Sequence, residues 1–142
     1  MFYQPPHSSS RFLICSIFMM MSTKKKTVVL GASANPARYS YLAIQRLREY
    51  GHPVKAIGLK KSVVEDVQID NTPTPEEDID TVTLYLNPRN QVQYYDYILS
   101  LKPKRIIFNP GAENAELEKL AEEKGIQTLE ACTLVMLGTN QY

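Results

Sequence analysis

Short apolar, β-branched runs that close on glycine or on Asn-Pro recur along this chain, with amphipathic helical stretches between them. That alternation constrains the fold more than any other feature. Thr27-Val28-Val29-Leu30-Gly31 has the composition of a buried parallel strand. Ala43, Ile44, Leu47 and Tyr50 then mark the inner face of a helix that stops at Gly51. Val54–Ile57 is a second strand, closed by Gly58. Residues 62–80 contain Pro73, Pro75 and a run of acids, and read as an excursion with one short edge strand near Val63–Val67. Thr81–Leu86 is the third principal strand. Asn87 caps and Pro88 opens the next helix, with Val92, Tyr95, Ile98 and Leu99 inward and Tyr94 and Tyr97 toward the surface or a dimer contact. Arg105–Phe108 and Ile126–Glu130 complete the set of strands. Between them Asn114 caps a helix with Leu117, Leu120 and Ala121 inward, and Cys132–Leu137 adds a last helical turn. The expected fold is α/β: an open, mostly parallel five-stranded sheet with helices on both faces, one domain over residues 23–142.

The length of 142 residues suits one domain. With 16 Lys+Arg against 15 Asp+Glu, the net charge of +1 supplies no general field for nucleic acid or an anionic membrane. Cys15 and Cys132 lie too far apart in sequence to suggest a metal-ligand pair or a disulfide framework. His7 and His52 are the only histidines, a poor stock for His-based catalysis or zinc. A cytoplasmic domain is expected. Residues 1–22 read differently. The apolar run Phe12–Met21 is about half a membrane span. Lys24-Lys25-Lys26 follows it where a secretion signal would carry small residues. The reading is a leader or an over-extended start, with translation beginning at Met19, Met20 or Met21 and the lysines forming a solvated segment.

In open α/β sheets, ligands sit beyond the carboxyl ends of the strands. The loop Gly31-Ala32-Ser33-Ala34-Asn35-Pro36-Ala37-Arg38-Tyr39-Ser40 follows the first strand there. Its glycine, short polar side chains and delivery of N–H groups to a helix start form a phosphate cradle. The plainer alternative is a strand-to-helix turn capped by Asn and Ser. The loop is neither G-x-G-x-x-G nor a P-loop, which argues against an ordinary dinucleotide site and against nucleoside triphosphate hydrolysis. An NAD site wants an acid about 20 residues after the glycines. The second strand instead ends in Gly58-Leu59-Lys60-Lys61. Two lysines suit a ribose carrying its own phosphate, as in NADP or coenzyme A; two surface lysines in a loop is the alternative.

The run Val28–Pro36, with Tyr39-Ser40-Tyr41-Leu42 and Gly51-His52-Pro53-Val54, resembles the stand-alone CoA-binding domain proteins. These are related to the CoA-binding domain of succinyl-CoA synthetase and of the NDP-forming acyl-CoA synthetases, and the resemblance covers residues 25–142. It implies a Rossmann-like fold with coenzyme A along the strand ends. The phosphates would lie near Gly31, Ala32 and Ser33, within the loop that also carries Asn35, Arg38, Tyr39 and Ser40. Gly58 and one of Lys60 and Lys61 would meet the 3′-phosphate side. Leu86, Asn87 and Pro88, then Asn109, Pro110 and Gly111, and finally Cys132 would line the rest. The chain departs from the family where Gly58-Leu59-Lys60 replaces a frequent Asn-Pro-Lys, and where Asn109-Pro110-Gly111-Ala112 replaces a frequent Gln-x-Gly-Ile. Neither histidine stands where the related synthetases carry a phosphohistidine, and no nucleophile with an adjacent base can be assembled. The expectation is a non-catalytic coenzyme A binder acting as carrier, sensor or partner subunit, with no metal. Its rivals are an NADP-binding oxidoreductase domain and an interaction module that binds no nucleotide. Cys132 reads either as a small buried residue or as a thiol able to form a mixed disulfide with the ligand. The open edges of a small sheet make a homodimer or a partner protein the expected association.

Overall fold

The computed structural model describes residues 24–142. The readings of residues 1–22, including the start at Met19–Met21, lie outside the described residues. Seven strands form one sheet: β1 (Thr27–Ala32), β2 (Val54–Gly58), β3 (Ser62–Val64), β4 (Val67–Asp70), β5 (Thr81–Leu84), β6 (Arg105–Phe108) and β7 (Gln127–Glu130). Their order is β3-β4-β2-β1-β5-β6-β7, and every pairing is parallel except β3 with β4. The five-strand expectation is therefore corrected to seven on the same mostly parallel α/β plan. The segment read as one edge strand is a hairpin: Glu65 takes φ +55° and folds Val64 back onto Val67. Side chains of the first helix hold that turn. Arg48 grips both Asp66 carboxylate oxygens at 2.9 and 2.7 Å, and Gln45 donates to Glu65 at 2.8 Å.

The helices are α1 (Tyr39–Glu49), α2 (Pro88–Gln91), α3 (Tyr95–Ser100), α4 (Ala115–Glu123) and α5 (Thr133–Gly138), with a 3₁₀ turn at Val92–Tyr94. Alternate strand residues face opposite sides of the sheet. Val28, Leu30, Val82, Leu84, Ile106 and Phe108 pack with Ile98 and Leu117 on one side. Val29, Ala56 and Ile69 pack with Ile44, Leu47 and Leu137 on the other. Two inward assignments are corrected. Tyr50 caps α1 and is 41% exposed, because Gly51 turns the chain there. Val92 is 56% exposed and Gln91, at i, i+4, i+7 with Tyr95 and Ile98, is buried in its place. Tyr94 and Tyr97 pack partly buried against the core, and Tyr97 donates to Thr74 O at 2.8 Å.

The three lysines before β1 are tied down rather than simply solvated. Lys24 Nζ donates to Tyr50 O at 2.7 Å, Lys25 Nζ to Tyr142 O at 2.8 Å, and Lys26 pairs with Glu76 at 3.3 Å. Beside them His52 is buried, its Nδ1 accepting from the Lys25 N–H at 2.9 Å and its ring 4.9 Å from that of Tyr142. Burial first, then Lys24, Lys25 and Arg105, push its pKa down to about 4. Below the ordinary histidine value of 6.5 the unfolded chain takes up a proton that the folded chain refuses until about pH 4. Stability from this group is thus complete above pH 6.5 and lost as pH falls toward 4, by roughly 2 kcal/mol once the ~3 kcal/mol equivalent of the shift is reduced for partial solvent screening. Urea unfolding at pH 7 and pH 4 should show that loss in the native protein and a smaller one in His52→Gln. An equal loss in both would contradict the assignment.

Candidate ligand site at the strand ends

All the parallel strands end at one edge of the sheet, and β1 lies between β2 and β5. The chain moves from β1 to β2 on one side and later returns to β5 on the other, so the strand order reverses at β1. Gly31 lies at that point. Its φ of +88° interrupts the β1–β2 register between Leu30 and Ala32. A Cβ there would stand 3.0 Å from Tyr85 C and 3.1 Å from Leu86 Cγ. Gly58 is as tightly constrained, since a Cβ on it would fall 2.1 Å from Ala32 O. The structure therefore brings together Gly31 with Leu86, and Ala32 with Gly58.

Two polar side chains of the first loop build the loop itself. Ser33 Oγ accepts from Asn35 N at 3.0 Å, and Asn35 Oδ1 accepts from Ala37 N at 3.0 Å. Arg38 N donates to Asn35 O at 2.9 Å, and Arg38 is the N-cap of α1, without a side-chain cap bond. The first turn of α1 carries no acid, and Tyr39 and Ser40 occupy its first two positions. N–H groups at these positions have no intrahelical acceptor. Ser40 is 3% exposed and Tyr39 is 73% exposed.

Side chains take N–H groups at three other helix starts. Asn87 Oδ1 accepts from Asn90 N at 2.9 Å at the start of α2. Asn114 Oδ1 accepts from Glu116 and Leu117 N–H at the start of α4, whose first turn also carries Glu116 and Glu118. At α5 the Thr133 N–H is taken by Asn109 Oδ1 at 2.8 Å. The starts of α1 and α5 are both free of acids and of a cap from their own N-cap side chain, and of the two α1 has an arginine, Arg38, as its N-cap residue.

On the β2 side, Leu59 is 88% exposed, and Lys60 and Lys61 are exposed with no ion pair among the described residues. On the other side, Asn109 is buried and its side chain is fully committed. Nδ2 donates to Thr83 Oγ1 at 2.7 Å and to Leu84 O at 2.9 Å, while Oδ1 takes the Thr133 N–H. Pro110 and Gly111 are exposed, and Gly111 N donates to Glu113 at 2.8 Å. Asn87 and Pro88 are exposed and form the α2 cap, and Leu86 packs against the core. Cys132, half-buried, is the N-cap of α5 and a free thiol. The Tyr85 hydroxyl is buried without a hydrogen-bond partner, and burial first, then Cys132, raises its pKa.

Sequence reasoning missed Gln91. This buried side chain donates to Leu86 O at 2.8 Å and Ala112 O at 2.7 Å, and accepts from Asn114 Nδ2 at 2.9 Å. It ties the loop after β5 to the loop after β6. Its signal was the spacing Gln91, Tyr95, Ile98, which places it on the inner stripe.

Residues 25–138 match the family described as "CoA binding domain", and the chain belongs to that family. A crystal structure described as that of an uncharacterized protein is 51% identical, with a TM-score of 0.81 over 84% of this chain and 98% of that one. A hypothetical protein from Pyrococcus horikoshii OT3 is 22% identical with a TM-score of 0.75, over 87% of this chain and 89% of that one. The structure of cell-free ID.343 from Thermus thermophilus is 21% identical, also at 0.75, over 89% and 97%. These last two share the fold. No curated protein matches the chain. Among the described residues no helix is long and apolar enough to cross a membrane, and no His/Cys/Asp/Glu group could hold a metal.

Proposed function

We propose that this domain binds coenzyme A, or an acyl-CoA, without catalysing a reaction, and serves as a carrier, sensor or partner subunit. The observation that carries this reading is the start of α1: an acid-free helix terminus with no side-chain cap, whose N-cap residue is the exposed Arg38, at the reversal of strand order. An anion placed there meets the Tyr39 and Ser40 N–H groups, the positive end of the dipole and a guanidinium. Gly31 and Gly58 let the ends of β1, β2 and β5 pack closely beside this loop, and membership of the CoA-binding domain family supports a nucleotide diphosphate as the anion. Lys60 or Lys61 then reads the 3′-phosphate as a charge-assisted donor. Asn109 contributes by holding the loop after β6 rather than by offering its side chain.

Thermal unfolding with coenzyme A, dephospho-CoA, NADP and NAD tests the reading. A ligand at ~100 times its Kd adds about 2.7 kcal/mol of stability. Coenzyme A should stabilise more than dephospho-CoA, with a difference in Kd of roughly tenfold that narrows in Lys60→Ala or Lys61→Ala. A response to NADP alone would favour an oxidoreductase domain. No response to any of the four would favour an interaction module.

A further inference from the structure

Helix α1 carries a second exposed feature, turned away from the core. Leu42, Arg46 and Tyr50 follow one another at intervals of four and, with Leu134, Leu137 and Gly138 of α5, line a groove of 420 Å³. Leu42 is 36% exposed, Tyr50 is 41% exposed, and Val135 on α5 is 60% exposed. Ridges at i±4 are the surface that packs helix on helix. The charges on this stripe complement themselves: Arg46 and Glu49 are both more than half exposed and pair at 3.0 Å within the chain. Such an exposed pair contributes little, so exchanging its partners costs little.

We propose that the α1–α5 face pairs with the same face of a second copy of this chain, the two α1 helices running antiparallel about a two-fold axis. An axis level with residues 47 and 48 sets Arg46 of each copy against Glu49 of the other. It also brings Tyr50 of each copy level with residue 45 of its mate, between Leu42 and Arg46 and so over the groove. A tyrosine entering an apolar groove is the kind of anchor that dominates small interfaces. The contact is isologous and closed, giving a dimer and no longer assembly. It leaves the loops after β2, β5 and β6 outside the interface.

Sedimentation equilibrium over a range of concentrations tests the proposal. The native protein should dimerise, and Leu42→Glu or Val135→Glu should each raise the dissociation constant at least roughly tenfold. Both positions are exposed, so circular dichroism and melting temperature should show that these variants remain folded. Arg46→Glu alone should weaken the dimer by facing two acids against each other, and the double variant Arg46→Glu with Glu49→Arg should restore it. A native protein that stays monomeric up to ~200 µM would overturn the pairing. So would a dimer untouched by Leu42→Glu and Val135→Glu, or a double variant no tighter than Arg46→Glu.

Discussion

Gly58→Ala is expected to cost about 4 kcal/mol of folding stability and to abolish ligand binding with it. The reason is a clash with main chain. Gly31 adds a residue to β1 without a partner on β2, so the register passes from Leu30–Ile57 directly to Ala32–Gly58. The displaced Ala32 carbonyl then points at Gly58, where a Cβ would sit 2.1 Å from its oxygen. A flexible side chain could swing aside, but a main-chain carbonyl at the end of β1, in register with Gly58, cannot. Relief requires the ends of β1 and β2 to part, and that movement drags the first loop and the start of α1 with it. Gly138→Ala is the control, since nothing lies within 4 Å of a Cβ there and alanine favours a helix. Urea unfolding should separate the two variants cleanly. A Gly58→Ala protein melting within about 2 °C of the native one would show that the strand ends yield.

Asn109→Leu should lower stability by about 3 kcal/mol. The substitution preserves shape but leaves the Leu84 carbonyl and the Thr133 N–H buried without their partners. Thr83 keeps its 2.8 Å bond to Thr133. A residue that merely lined a ligand would behave otherwise: its loss would weaken binding and spare the fold. Chemical denaturation and coenzyme A titration on the same variant distinguish the cases. Lost affinity at native stability would return Asn109 to the ligand.

That contrast shows where the sequence was informative. Strands β1, β2, β5 and β6 were legible because each is a short, mostly apolar run rich in branched residues that glycine, proline or asparagine closes. The caps at Asn87 and Asn114 were equally open, since a short acceptor before a helical stretch has few other uses. The β3–β4 hairpin was not legible, because its turn is Glu65-Asp66 without glycine or asparagine. What holds it is Arg48 and Gln45 reaching from α1, a tertiary contact that local pattern does not carry. Gln91 hid for a related reason: beside the apolar Val92 it reads as surface, and the carbonyls of Leu86 and Ala112 and the Asn114 amide that satisfy it inside come from other parts of the chain. In the candidate site, the loops were identified by topology alone. The division of labour within them was legible in part: Ser33 and Asn35 bond N–H groups two residues on, as the alternative of a strand-to-helix turn held by Asn and Ser has it, whereas Asn109 bonds Thr83, Leu84 and Thr133, which only the folded chain brings near.

A crystal structure grown with excess coenzyme A measures the central claim most directly. The diphosphate should lie against the Tyr39 and Ser40 N–H groups under the Arg38 guanidinium, with the 3′-phosphate toward Lys60 or Lys61. Coenzyme A bound elsewhere on the molecule, or only solvent at the start of α1, would contradict it.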